Sequence, residues 1–153
     1  MSTPMLAAQL YTVRAFTQTA SDLADTFRKV RTIGYRAVQL SAIGPIPPAD
    51  VKALLDDAGL VVCNTHVSYG RLTNDLPAVI AEHQLWDCRH VAIGSMPASF
   101  RAEGEAGYRR FAQEANIIGR KLHEAGLTFS YHNHSFEFVR FGRRTALDIL
   151  YAE

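Results

Sequence analysis

The chain has 153 residues, 48% hydrophobic and 20% charged, which is ordinary for a globular protein and long enough for one domain with its own core. Sixteen basic residues against fifteen acidic ones leave a formal charge of +1, so the charge balance makes no case for a nucleic acid or other polyanion as partner. No run approaches the ~18 apolar residues of a membrane span, and the start, MSTPMLAAQL, lacks the basic and apolar regions of an export signal, so a cytoplasmic protein without membrane contact is expected.

The first apolar run, Leu6–Val13, is too short for a helix and predicts a strand. A helix should follow, because Leu23, Phe27 and Val30 recur at helical spacing, with Ser21 as its expected N-cap and Gly34 just past its end. The second strand is expected over Arg36–Ser41. Behind it Pro47 and Pro48 fit the entry to a helix whose face is Val51, Leu54, Leu55 and Ala58, with Gly59 ending it. Leu60–His66 predicts the third strand. The next helix, about 75–85, carries Leu76, Val79 and Ile80, and Pro77 fits only its first turn. Arg89–Ser95 predicts a fourth strand. The longest helix then runs from about 105 to 125, with Phe111, Ala115, Ile118 and Leu122 on one face and Gly126 as stop. Leu127–His134 predicts the fifth strand, and a last helix begins near Thr145. Cys63 and Cys88 lack CxxC spacing and are expected to be buried free thiols.

This alternation of strands and helices implies a parallel sheet covered by helices through right-handed crossovers. No linker or charge block divides residues 1–153, so they read as one domain or one piece of one. Two architectures fit: a flavodoxin-like doubly wound sheet, which five units could complete, and a (β/α)8 barrel, which needs roughly 250 residues. The turn Tyr11–Phe16 offers no glycine-rich grip for a phosphate, which counts against the first. Polar residues also gather near the C-terminal ends of the strands: Gln9 and Tyr11, Gln39 and Ser41, Asn64 and His66, His132 and His134. Barrel enzymes build their sites on that rim. The helical pattern is still running at Leu150-Tyr151-Ala152-Glu153. The expected fold class is therefore α/β, a (β/α)8 barrel with only about its first five βα units present.

The segment Tyr131-His132-Asn133-His134-Ser135-Phe136-Glu137-Phe138 holds the richest chemistry. Residues two apart on a strand share a face. Thr128, Ser130, His132 and His134 should then point into the barrel, with Leu127, Phe129 and Tyr131 against the helices. Two imidazoles on one face could meet one divalent ion, with Glu137 adding a carboxylate, or could form a hydrogen-bonded pair without metal. His66 shares a face with Asn64. Gln9 and Gln39 are neutral and suit hydroxyl recognition. His83, His90 and His123 are expected to be structural or solvated, and Arg140, Arg143 and Arg144 to form a solvated loop face.

AQLYTVR in the first strand, VQLS in the second, a third strand ending in His66 and YHNHSFEF in the fifth together resemble the xylose-isomerase-like sugar isomerases and epimerases. That superfamily includes inosose dehydratases and apurinic endonucleases, and the likeness runs the length of the chain. It implies a (β/α)8 barrel that holds a divalent metal (Mn, Mg, Co or Zn) at its C-terminal rim and moves a proton beside the carbonyl of a ketose or keto-sugar. In the epimerases the ligands are typically Glu, Asp, His and Glu from strands five to eight, two of the acidic residues exchanging the proton. This chain places His132 where those enzymes carry Glu, and Gln39 where many relatives have Glu. By resemblance His132 and Glu137 are catalytic, His132 and His134 bind metal, and Gln9, Tyr11, Gln39 and His66 bind substrate. Dehydratase or lyase chemistry on a keto-inositol or 3-keto-glycoside, or an inactive, self-associating fragment, are the alternatives. A small-molecule sugar partner and a homo-oligomer are expected, and the absence of a basic groove disfavours DNA repair.

Overall fold

Strands β1 (Ala7–Gln9), β2 (Ala37–Leu40), β3 (Val61–Val67), β4 (His90–Ile93) and β5 (Thr128–Tyr131) pair side by side in the order β1-β2-β3-β4-β5, every pair parallel. The structure is a computed structural model that describes residues 6–153; the part of the export-signal reading that rests on residues 1–5 lies outside them. The strand order rules out the 2-1-3-4-5 sheet of a flavodoxin-like fold and is that of consecutive barrel strands. The helices are α1 (Ala20–Ile33), α2 (Pro48–Ala58), α3 (Tyr69–Asn74), α4 (Leu76–Leu85), α5 (Ala98–Ala102), α6 (Glu105–Glu124) and α7 (Ala146–Leu150). A small antiparallel pair, β6 (Arg140–Phe141) with β7 (Arg144–Thr145), carries the expected basic cluster. Among the described residues no helix is long and apolar enough to cross a membrane.

The helices cover one face of the sheet, and the hydrophobic spacing explains why. Leu23, Phe27 and Val30 of α1 join Val38 and Leu40 of β2 and Val51 and Leu55 of α2 in one buried cluster. Val91 and Ile93 of β4 join Phe111, Ile118 and Leu122 of α6 in a second. Phe129 and Tyr131 pack against that second cluster, whereas Thr128 and Ser130 are exposed, so the alternation expected along β5 holds. On the face away from the helices, Gln9, Gln39 and Asn64 lie in register across three strands, a row of carboxamides.

Several boundaries differ from the sequence reading, each for a local reason. Strand β1 stops at Gln9, and residues Leu10–Phe16 form a 3-10 helix. There Thr12 Oγ1 donates to the Gln9 carbonyl and Arg14 Nη1 to the Tyr11 carbonyl, each at 2.8 Å, giving the backbone local partners in place of a ladder. Strand β5 ends at Tyr131, although His132 N–H still donates to the Ile93 carbonyl at 3.1 Å. The N-cap of α1 is Thr19, not Ser21: Thr19 Oγ1 accepts from Asp22 N–H at 3.1 Å. Helices α3 and α5, with six and five residues, are too short to show a hydrophobic period and were not expected. Cys88 is buried, but Cys63 is only half-buried, a correction to the expected pair of buried thiols; both are free.

His83 is structural and almost fully buried, with 1% of its surface exposed. Its Nδ1 lies 2.7 Å from the Val79 carbonyl, which can only accept, so Nδ1 carries the proton and Nε2 accepts from Thr65 Oγ1 at 2.7 Å. Helix α4 is thereby pinned to β3 through a neutral imidazole. Burial pushes the pKa of His83 down, opposed by its bond to Val79 and by the Glu82 carboxylate and reinforced by Arg71. A folded-state pKa below the unfolded one leaves stability complete above the ordinary imidazole value of about 6.5. As pH falls below that value, the unfolded chain takes up a proton that the folded one refuses. The expected cost is up to about 1.4 kcal/mol per pH unit. Urea unfolding should show a lower midpoint at pH 5.5 than at pH 7.5, and His83→Gln should lose part of that difference. An equal or higher midpoint at pH 5.5 contradicts the buried neutral imidazole.

Candidate active site

At the C-terminal ends of the strands lies a cleft of about 650 Å³. Five of the seven residues singled out from the sequence line it: Gln9, Tyr11, His66, His132 and His134. Gln39 does not. It sits between Gln9 and Asn64 in the carboxamide row, below the rim residue Ser41.

His66 is held from two sides. Its Nδ1 lies 3.1 Å from Oγ of Ser41, itself buried just past the end of β2. The loop after Ser41 folds closely against the segment before α1, where Gly44 N–H donates to the Thr17 carbonyl at 2.9 Å and a Cβ on Gly44 would stand 1.9 Å from the Gln18 carbonyl oxygen. Only glycine fits there. Beside β4 a Cβ at Gly94 would stand 3.2 Å from Cβ, Cγ and Nδ1 of His66, so the missing side chain gives the imidazole its space. With Nδ1 engaged by Ser41, Nε2 is the nitrogen of His66 left for a ligand. Burial first, then the neighbouring His132 and His134, push the pKa of His66 down. His66 is therefore a neutral group at pH 7.

The rings then continue in a chain. His66 and His132 have centroids 4.9 Å apart, and so do His132 and His134. His134 stacks on Phe136 at 5.1 Å with the planes 10° apart, and the guanidinium of Arg101 lies 4.0 Å from the Phe136 ring centroid. Tyr11 also lines the cleft, half exposed, with Arg14 4.3 Å from its ring centroid.

Glu137, expected to face the cleft as an acid/base group, is instead fully buried beneath it. A short 3-10 turn, Phe136–Phe138, carries its side chain back under the loop. One carboxylate oxygen accepts the Tyr131 hydroxyl, and the other accepts His134 N–H at 2.6 Å. Burial, followed by the bond to Glu137, pushes the Tyr131 phenol far up. Tyr69 lines the cleft, but its hydroxyl donates to Glu114, and burial together with that bond raises its pKa to about 12. Neither tyrosine is a ready proton donor at neutral pH.

For a metal the fit is incomplete. The imidazoles are suitable donors, but they lie ring against ring. Among the described residues no carboxylate lines the cleft. Among the described residues no group of three or more His, Cys, Asp or Glu side chains is arranged to hold an ion. The residues expected as His132 and His134 ligands are thus together at the rim, without Glu137. Sequence reasoning missed Arg101, which lies on the short helix α5, where no periodicity marks a face.

No protein-family model and no curated protein matches the sequence. Solved structures do match in fold. A sugar phosphate isomerase/epimerase from Parabacteroides distasonis superposes with a TM-score of 0.77 at 21% identity, over 98% of this chain and 65% of that one. An AP endonuclease, family 2, from Brucella melitensis gives 0.61 at 16% identity, over 84% of this chain and 55% of that one. A xylose isomerase-like TIM barrel protein from Mycobacterium smegmatis, in complex with magnesium, gives 0.57 at 12% identity, over 84% and 54%. The chain is thus an α/β protein built of five consecutive βα units of a (β/α)8 barrel, spanning less than two thirds of each of these neighbours. Within that class its fold is similar to those of the three solved structures above.

Proposed function

We propose that the cleft is one wall of the active site of a sugar isomerase or epimerase, which moves a proton at the carbon beside the carbonyl of a ketose or keto-sugar. One observation carries this reading: Gln9, His66, His132 and His134, from three separate strand ends, meet in a single cleft on the C-terminal rim. The fold neighbour described as a sugar phosphate isomerase/epimerase supports it. In this proposal the Gln9 carboxamide both donates to and accepts from sugar hydroxyls. His66, neutral and anchored by Ser41, presents one nitrogen to a hydroxyl or carbonyl oxygen. His132, between the other two imidazoles, takes up or returns the proton. Glu137 acts by holding the backbone of His134, and so the position of its ring. A divalent ion would supply polarisation of the carbonyl; His132 and His134 would hold it through imidazole nitrogens, donors that suit Zn or Co better than Mg, and a His132 so engaged would leave the proton step to a group outside these residues. The remaining ligands would lie outside these residues. The test is a titration with D-fructose followed at the histidine rings: His66, His132 and His134 should respond, and His83, His90 and His123 should not.

A further inference from the structure

Tyr11 follows β1 and His66 lies near the end of β3, yet one exposed side chain ties their supports together. Gln18 Nε2 donates to the Arg14 carbonyl at 2.7 Å and to the Ala42 carbonyl at 2.9 Å. Carbonyls only accept, so the NH₂ end of the carboxamide faces both and uses both of its hydrogens. Arg14 lies on the 3-10 helix that carries Tyr11, and its guanidinium reaches back to the Tyr11 carbonyl and ring. Ala42 follows Ser41, whose hydroxyl anchors His66. The backbone of Ala42 has a φ of 54°, in the left-handed region where a Cβ crowds the following carbonyl oxygen. Among the described residues Asp87 is the other non-glycine residue with positive φ, and of the two only Ala42 lines the cleft. Strain of this kind persists only where the surroundings hold it. The bond from Gly44 N–H to the Thr17 carbonyl sets the two segments side by side, and Gln18 acts on the strained residue itself, next to Ser41.

We propose that Gln18 is a positioning residue of the site. By holding Ala42 left-handed it keeps the Ser41 hydroxyl against His66, and through the same amide it fixes the turn that carries Tyr11 to that wall. As a statement about a substrate site the proposal rests on the sugar reading above, but its first test needs no sugar. Gln18→Glu keeps the shape of the side chain and removes both N–H donors, and Gln18→Leu removes its polar atoms altogether. Gln18 is exposed, so neither change opens the core.

Nitrogen-15 spectra of the imidazole rings, recorded first without sugar, read the position of His66. In both Gln18 variants the His66 nitrogens should shift, while His83 and His123 stay in place and report an intact fold. Adding Ala42→Gly, which takes the left-handed conformation without the Cβ penalty, should remove most of each shift. Ala42→Gly alone should leave His66 where it is. A general loss of stability at Gln18 would not be rescued in this way from the other loop. His66 signals unmoved in both Gln18 variants, or a shift that Ala42→Gly leaves intact, overturn the proposal. D-fructose, followed in the same spectra, should bind each Gln18 variant about fivefold more weakly than the wild type, with the loss recovered in the double variants. A His66 shift with unchanged fructose affinity would also overturn the positioning role. A wild-type chain that binds no fructose sinks the sugar reading, and the sugar-free spectra then decide the role of Gln18 by themselves.

Discussion

Glu137→Ala should cost about 3 kcal/mol of unfolding free energy, a large loss for one side chain. The carboxylate is fully buried and both of its oxygens are in use, so its removal strands the Tyr131 hydroxyl and His134 N–H without acceptors. It also leaves a void beside Tyr131, whose ring packs against the larger core cluster. Glu137→Gln keeps the shape but puts an N–H₂ against one of two donors, so a loss of about half that size is expected. Denaturant unfolding of the three chains checks both values. A loss below about 1 kcal/mol for Glu137→Ala would mean that the carboxylate is not the internal acceptor described.

The 153 residues made alone should self-associate and show no isomerase turnover. A closed barrel has no edge strands, whereas β1 and β5 here are the two outer strands of an open sheet. Beside β5 runs a groove of about 730 Å³ whose walls include Phe111, Ala115 and Gly119 of α6, Phe129 and Tyr131 of β5, and Leu150 of α7. Unpaired edges flanked by apolar surface are templates for another strand. The same openness leaves the site one-sided: among the described residues no carboxylate lines the cleft, and no group of three or more His, Cys, Asp or Glu side chains is arranged to hold an ion. Sedimentation velocity should show dimers or larger species. A monomer that melts cooperatively and isomerises a ketose would contradict both statements.

The sheet and its helices were legible because burial imposes a period. Phe27 and Val30, or Phe111, Ile118 and Leu122, recur where one helix face meets the sheet, and the structure buries those residues. The strand ends were legible for a different reason: parallel βα units bring every C-terminal strand end to the same rim, so Gln9, His66 and His132 could be assembled without knowing any distance. Direction past the strand end was not legible. Glu137 lies three positions after His134, a spacing that puts them close but does not say whether the carboxylate rises into the cleft or turns under it. The 3-10 turn decides that. Arg101 was hidden because α5 is a single short turn between β4 and α6, and a lone arginine in such a segment carries no pattern. Tyr11 was read as the end of a strand, and the hydroxyl of Thr12 helped move it into a 3-10 helix.

Whether the rim cleft holds a sugar is read most directly at the six histidines of the chain, which provide the probe and its control together. Three line the cleft, while His83 is locked to Thr65 and Val79 in the core and His90 and His123 lie elsewhere on the surface. Nitrogen-15 spectra of the imidazole rings, recorded as D-fructose is added, read all six at once. His66, His132 and His134 should shift along one saturable curve with the other three unmoved, and His132→Ala should abolish the response at both remaining rings. Shifts spread evenly over all six histidines, or a saturable response confined to His90 and His123, would show that this cleft is not the sugar site.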